Sequence, residues 1–451
     1  MIRAFNGIEI QYMIFRLLHV IIPVPLLVGG FLCPPTAYAA TYYVATNGSN
    51  SNPGTEALPF RTINKGVRVL KPGDTLYVRE GTYAESLIDN IPGGTSWDDA
   101  VTIAAYPGNC DSQVCETVTL RPPLSGVSRF QCDWTGPTTG CIYRAVGFSW
   151  PGQRYIIFDG FIIDAVNVAS EGIKIDNDHI RLKNLEIKNG PCYAVLIASV
   201  APGFGEFNEL INIKASNSGW DYDTCFGSPG DLYLRSNAGA FYINGASNTL
   251  VDRCEIFGGP GGAISIYKDS YPAWAGRNNI IRNCRIYNNG TPEMRGGGIN
   301  VSLPAAPSAP GNLIYNNLIY DNIGSYYWAP GISVFGAGHN TKIYNNTIYN
   351  NPGAAIVIFP GISGVIAENN IVYGNSEPSI DDGGVGTFLS NNLTADPLFV
   401  NGVNGDFRLQ AGSPAIDTGA IIDEFNRDFA GVLRPQGITY SIGAFEFVSA
   451  P

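Results

Sequence analysis

One short phrase recurs through the middle of this 451-residue chain, and the recurrence limits the fold more than any other feature. Ile281-Arg282-Asn283-Cys284-Arg285-Ile286-Tyr287-Asn288 matches Ile343-Tyr344-Asn345-Asn346-Thr347-Ile348-Tyr349-Asn350, and Ile314-Tyr315-Asn316-Asn317-Leu318-Ile319-Tyr320 fits the same frame. Further copies cover Leu182–Ile187 and Ile366–Tyr373, with weaker ones centred on Gly160, Asn212, Arg253 and Asn391. One anchor per copy falls at 160, 184, 212, 253, 283, 316, 345, 369 and 391, so the gaps are 24, 28, 41, 30, 33, 29, 24 and 22 residues. A floor near 22 with variable additions is the pattern of a solenoid: a fixed structural turn with loops inserted on some faces.

Between the anchors lies a second set of runs: Gly262-Ala263-Ile264-Ser265-Ile266, Gly297-Gly298-Ile299-Asn300-Val301, Gly331-Ile332-Ser333-Val334 and Ala355-Ile356-Val357-Ile358. Their two-residue alternation predicts strands. Each turn then holds about three short strands, with Ile, Val and Leu stacked inside. Asn at the anchor suits a tight bend, because it tolerates left-handed backbone and its amide can bond to the next turn. Cys254 and Cys284 fill the slot of Asn317 and Asn346, which predicts a packed pair on adjacent turns, as thiols or as a disulfide. Length alone would suggest two or three domains; a solenoid instead grows by adding turns to one core. The 54 Gly, about 40 Asn and 14% charged residues agree, since they suit bends more than long helices.

The first forty residues read differently. Arg3 and Arg16 precede an apolar run over Leu17–Leu32, and Ala37-Tyr38-Ala39 closes it, in the order of a secretory signal peptide cleaved near Ala39 or Ala40. Pro23 and Pro25 argue against a membrane anchor. Cleavage would move the net charge from −11 to −12, because Arg3, Arg16 and Glu9 leave together. No basic face marks a nucleic-acid partner. The expectation is a monomer without a membrane span, secreted or held at the cell surface or in the periplasm. Eight cysteines then remain, an even number that suits disulfides in an exported chain: Cys110/Cys115 and Cys132/Cys141 as local staples, and Cys192 with Cys225 around a long loop.

These residues resemble the right-handed parallel β-helix proteins, the fold of pectate lyases and related polysaccharide enzymes. Tyr42–Ser49, Pro53-Gly54-Thr55, Pro59–Ile63, Pro72–Val78 and Gly81-Thr82-Tyr83 resemble the N-terminal segment of the secreted members. There Phe60–Leu70 would form a short helix capping the core, and Ile63, Val67 and Leu70 have helical spacing. Asp396–Phe399, Gly412–Asp417 and Ile442–Glu446 resemble the closing segment of bacterial surface β-helix proteins. The expected architecture is an all-β, single-stranded right-handed parallel β-helix solenoid with an N-terminal helical cap. Its parts are a signal peptide (1–40), cap and first coils (41–150), repeats (151–395) and a closing segment (396–451).

The resemblance implies a substrate lying along one sheet, here the Gly-rich strands, with the Asn bend between the other two. Alternation predicts an outer row of Lys174, Leu196, Tyr242, Ser265, Asn300 and Ser333, and a neighbouring row of Asp176, Ala198, Asn244, Tyr267, Ser302 and Phe335. Lys268 follows at a strand end. The largest insertion, between anchors 212 and 253, carries Trp220, Asp221, Asp223, Asp231 and Arg235, and Arg295 lies a turn later. Polar and aromatic rows suit a polysaccharide, with Arg235, Arg295, Asn244, Asn300, Asp176 and Trp220 as substrate-binding candidates.

A lyase removes the proton beside a uronate carboxylate after a cation has neutralised that carboxylate. Lys268 or Lys174 could be the base, Tyr242 or Tyr267 the proton donor, and Asp221 and Asp223 could hold Ca²⁺ through hard oxygen ligands. Hydrolysis by paired carboxylates among Asp176, Asp221, Asp223 and Asp231 is a further alternative. A non-catalytic surface protein that binds glycans or mediates adhesion is the rival, since the fold hosts both.

Overall fold

In the computed structural model, each pass of the chain lays down up to three short strands that pair in parallel with their counterparts one turn on, and a separate antiparallel pair, Phe399–Asn401 with Asp406–Leu409, lies in the closing segment. The structure describes residues 39–449 apart from 109, 112–113, 125–131, 133–139, 200, 221–238, 268–273, 293–296, 305, 325–328 and 377. The first sheet has twelve strands, from Thr41–Val44 to Phe388–Ser390. The second has ten, from Gly81–Tyr83 to Ile371–Tyr373, and the third has ten, from Leu87–Ile88 to Ile380–Asp382. This is a parallel β-helix.

Register stacks the core. Leu182, Leu210, Val251, Ile281, Ile314 and Ile343 form one inward column, and Ile264, Ile299, Ile332 and Ile356 another. All of these are fully buried. Burying each aliphatic side chain is worth about 1.5–3 kcal/mol, so the turns share one continuous apolar interior. The cap is a helix over Ile63–Val67, shorter than the expected Phe60–Leu70. Thr62 caps it by accepting the Lys65 N–H, and Ile63 and Val67 are buried beneath it.

All nine anchors adopt left-handed backbone: Gly160, Asn184, Asn212, Arg253, Asn283, Asn316, Asn345, Asn369 and Asn391, with φ between 48° and 81°. They mark the bend between the first and second sheets. The amide ladder belongs to the following residue. Asn346 Oδ1 accepts from Asn317 N–H (3.0 Å) and Nδ2 (2.9 Å), and Asn370 Oδ1 does the same for Asn346. The two roles are divided because the left-handed residue turns its side chain outward while its neighbour points in. A second ladder, Asn289–Asn322–Asn351–Asn375, lines the next bend. Cys254 and Cys284 hold the first ladder's upstream slots as buried free thiols, and Cys284 N–H donates to Asn317 Oδ1. Cys110–Cys115 and Cys132–Cys141 are disulfides. Cys192 is disulfide-bonded too; its expected partner, Cys225, lies outside the described residues.

Residues 396–449 return along the flank. Their apolar side chains pack on the outer faces of the first and second sheets: Ile422 and Tyr440 against Tyr315 and Tyr344, Phe407 and Ala444 against Leu318 and Tyr320. The anchor amides grip this segment, with Asn316 donating to Arg427 O, Asn345 to Ser441 O and Gly443 O, and Asn369 to Ala420 O. Among the described residues, none of its apolar clusters includes a residue of the third sheet. No helix among the described residues is long and apolar enough to cross a membrane.

Candidate functional site

The third sheet presents the expected outer row in register: Lys174 pairs with Leu196, then Tyr242, Ser265, Asn300 and Ser333 follow turn by turn. Of the neighbouring row, Ala198, Asn244 and Tyr267 are in register, and Asp176 lies just past its strand end. Asn244 and Asn300 are half-buried, and Asn300 Oδ1 accepts from Ser333 Oγ at 2.6 Å.

Burial divides this face. Tyr193 stacks on Tyr242 (4.9 Å, 10°), and Tyr242 stacks on Tyr267 (6.4 Å, 27°), which reaches Phe335 (6.2 Å). With Cys192 and Leu196 they form a packed layer in which Tyr242 is 8% and Tyr267 6% exposed. Rings set one turn apart cover one another, so the middle of the row is a tyrosine stack.

Charge gathers at the N-terminal turns. Arg144 and Glu171 are register partners, with Nε and Oε2 3.9 Å apart, too long for a hydrogen bond. Two strand positions beyond Gly172, Lys174 Nζ sits 3.0 Å from Asp176 Oδ2. Burial pushes the Glu171 carboxyl above its ordinary range, and the Arg144 charge offsets only part of that. Glu171 Oε2 and Asp176 Oδ1 are enclosed without a hydrogen-bond partner. From Leu196 to Val357 the register-aligned outer row carries no charge; the next is Asp381.

The structure therefore brings Lys174 and Asp176 together and adds Arg144 and Glu171, which sequence reasoning missed. Their signal was a Glu and an Arg at corresponding positions of two Gly- and Ala-containing strands. Trp220 donates its indole N–H to Asn189 O at 3.3 Å, a tie between neighbouring loops. Lys268, Arg235, Arg295, Asp221, Asp223 and Asp231 lie outside the described residues. Among the described residues, no group of three or more His, Cys, Asp or Glu could hold a metal ion.

Comparison with known proteins agrees with the turn-by-turn geometry. The family described as right handed beta helix region matches residues 147–305 and 305–396, more than half of the chain. The chain belongs to this right-handed β-helix family. A family of proteins of unknown function, DUF1565, matches residues 46–94 of this β-helix protein. No curated protein matches the chain. Among solved structures, the fold is similar to pectate lyase Pel9A at 15% identity, with a TM-score of 0.59 over 91% of this chain and 97% of that one. A rhamnogalacturonan lyase (17% identity, TM-score 0.48, 80% and 91% covered) and an alginate lyase from Paenibacillus sp. str. FPU-7 (15%, 0.46, 79% and 99%) are more distant.

Proposed function

We propose that this β-helix protein is an exported carbohydrate-active enzyme, a polysaccharide lyase that cleaves a uronate-containing glycan by β-elimination on the outer face of the third sheet. The observation that carries the reading is the Arg144–Glu171–Lys174–Asp176 cluster, because elimination needs cations to neutralise the uronate carboxylate. In the reaction a base takes the proton next to the uronate carboxylate. Its electron pair forms the new C=C bond as the glycosidic C–O bond breaks, and an acid protonates the leaving oxygen. Lys174, ion-paired with Asp176 at 3.0 Å, is assigned the neutralising of the substrate carboxylate, with the role of base as its alternative. Arg144 supplies a second cation. Lys268 keeps the proposed role of base, with Tyr242 or Tyr267 as donor, and Asp221 and Asp223 remain proposed ligands for Ca²⁺, a hard cation that would add to the neutralising charge.

A non-catalytic glycan-binding role is the second reading, and the burial of Tyr242 and Tyr267 favours it. Incubation with polygalacturonate, alginate and glycosaminoglycans separates the two by the ultraviolet absorbance of unsaturated uronate. Binding with no absorbance change on any polymer would reject the lyase.

A further inference from the structure

Two exposed aromatic residues follow the strands that pair on either side of the one carrying Lys174. Trp150 follows the strand Arg144–Phe148 and is 66% exposed; Phe204 follows the strand Tyr193–Ala198 and is 44% exposed. Single exposed apolar side chains are common and need no function. These two differ in how firmly their backbones are held and in what lies between them.

Trp150 N–H donates to Gln153 Oε1 (2.8 Å), and Gln153, itself buried, donates to Ile91 O (2.9 Å). Asn177, next to Asp176, donates from Nδ2 to both Phe148 O (3.0 Å) and Trp150 O (2.9 Å). The Trp150 backbone is thus tied to the turn that carries Lys174 and Asp176. On the other side, the loop after Ala198 folds back over its own strand end. Gly205 has a φ of +69°, and a Cβ there would stand 2.8 Å from Ala198 O, so this close approach needs glycine. Phe204 is held by that fold, with its N–H donating to Ala201 O. Neither ring has an aromatic partner among the described residues. Phe207, also exposed, has one face against His179 at 5.2 Å.

We infer that Trp150 and Phe204 frame a pyranose-binding subsite over Lys174 and Asp176, in which a uronate-containing polysaccharide lies along the solenoid axis with sugar faces against the two rings. This rests on the carbohydrate reading above. A pyranose offers a C–H face to an aromatic ring and a rim of hydroxyls or a carboxylate to charged groups. Two turns separate the strands that Trp150 and Phe204 follow by about 10 Å, close to the length of a disaccharide. The sugar between them meets Lys174 and Asp176, which assigns the acidic residue to the centre and leaves the flanking contacts apolar.

The test is affinity electrophoresis in gels containing polygalacturonate, alginate or chondroitin sulfate, alongside the cleavage assay. The expected result is retardation of the wild type by at least one polymer, with Trp150→Ala and Phe204→Ala each weakening the affinity about tenfold. Phe359→Ala, an exposed ring at the far end of the same sheet, should bind as the wild type. Phe204→Leu keeps the bulk without the aromatic face and should behave as Phe204→Ala, which separates stacking from a folding effect. If a polymer binds the wild type and both alanine variants equally, the subsite is wrong and the carbohydrate reading stands. If no polymer is bound or cleaved by the wild type, the reading fails and takes the subsite with it.

Discussion

Arg434 and Glu446 form an ion pair at 2.9 Å with both side chains shut away from solvent. Arg434 also donates to Ser441 O and Gly443 O, and Glu446 accepts from Ser441 N–H and Oγ. The pair closes the loop that covers the Asn bend. Breaking a buried pair by removing one partner leaves an uncompensated charge and costs about 3–5 kcal/mol. Arg434→Ala should therefore lower the denaturation midpoint and open residues 396–449 to limited proteolysis. Unchanged proteolysis would show that the apolar contacts suffice.

The amide ladder makes a second demand. Asn346 accepts two N–H bonds from Asn317 and donates to Ile314 O and Asn370 Oδ1, all in the buried interior. Asn346→Ala leaves several of these groups unpaired, at about 1–3 kcal/mol each. Urea unfolding should show a loss of at least several kcal/mol, whereas Asn401→Ala, on an exposed strand, should change little.

Glu171 sets a pH dependence with a definite sign. Its carboxyl is raised in the folded protein by burial, so the folded state holds the proton more tightly than the unfolded chain. Its contribution to stability is present below the ordinary glutamate value and is lost as pH rises from there toward the raised one. Glu171→Gln should flatten that decline in a series of melting temperatures across acidic to neutral pH. A wild type and variant with parallel profiles would remove the assignment.

Lys174→Ala should reduce cleavage by about 10²–10⁴-fold if it neutralises the substrate carboxylate, while melting as the wild type does. Lys268→Ala should do the same through loss of the base. A chelator should abolish activity if Asp221 and Asp223 hold Ca²⁺, and added Ca²⁺ should restore it. Full activity in Lys174→Ala would move the site away from the Arg144–Asp176 cluster.

Much of the fold was legible in the chain. The anchors at 184, 316 and 345 announced left-handed bends because Asn adopts that backbone at little cost. The alternation in Gly262–Ile266 and Gly331–Val334 announced which residues face outward. The site was legible in part. Lys174 and Asp176 are two residues apart, so local alternation could place them on one face. Arg144 and Glu171 are 27 positions apart and meet only because the intervening turn, with its strands Ile156–Asp159 and Phe161–Asp164, returns the chain to the same register.

The sequence by itself determined the period, the bends and the inward columns, since these depend on local backbone preference and on a two-residue alternation. Tertiary structure alone decided which outer rows stay open. Nothing local reveals that Tyr242 lies against Tyr193, which precedes it by 49 residues. Nor does it show that the closing segment packs on the first and second sheets and grips Asn316 and Asn345. Those outcomes depend on how turns of unequal length stack and on where the last fifty residues find apolar surface to cover. Both are properties of the assembled solenoid.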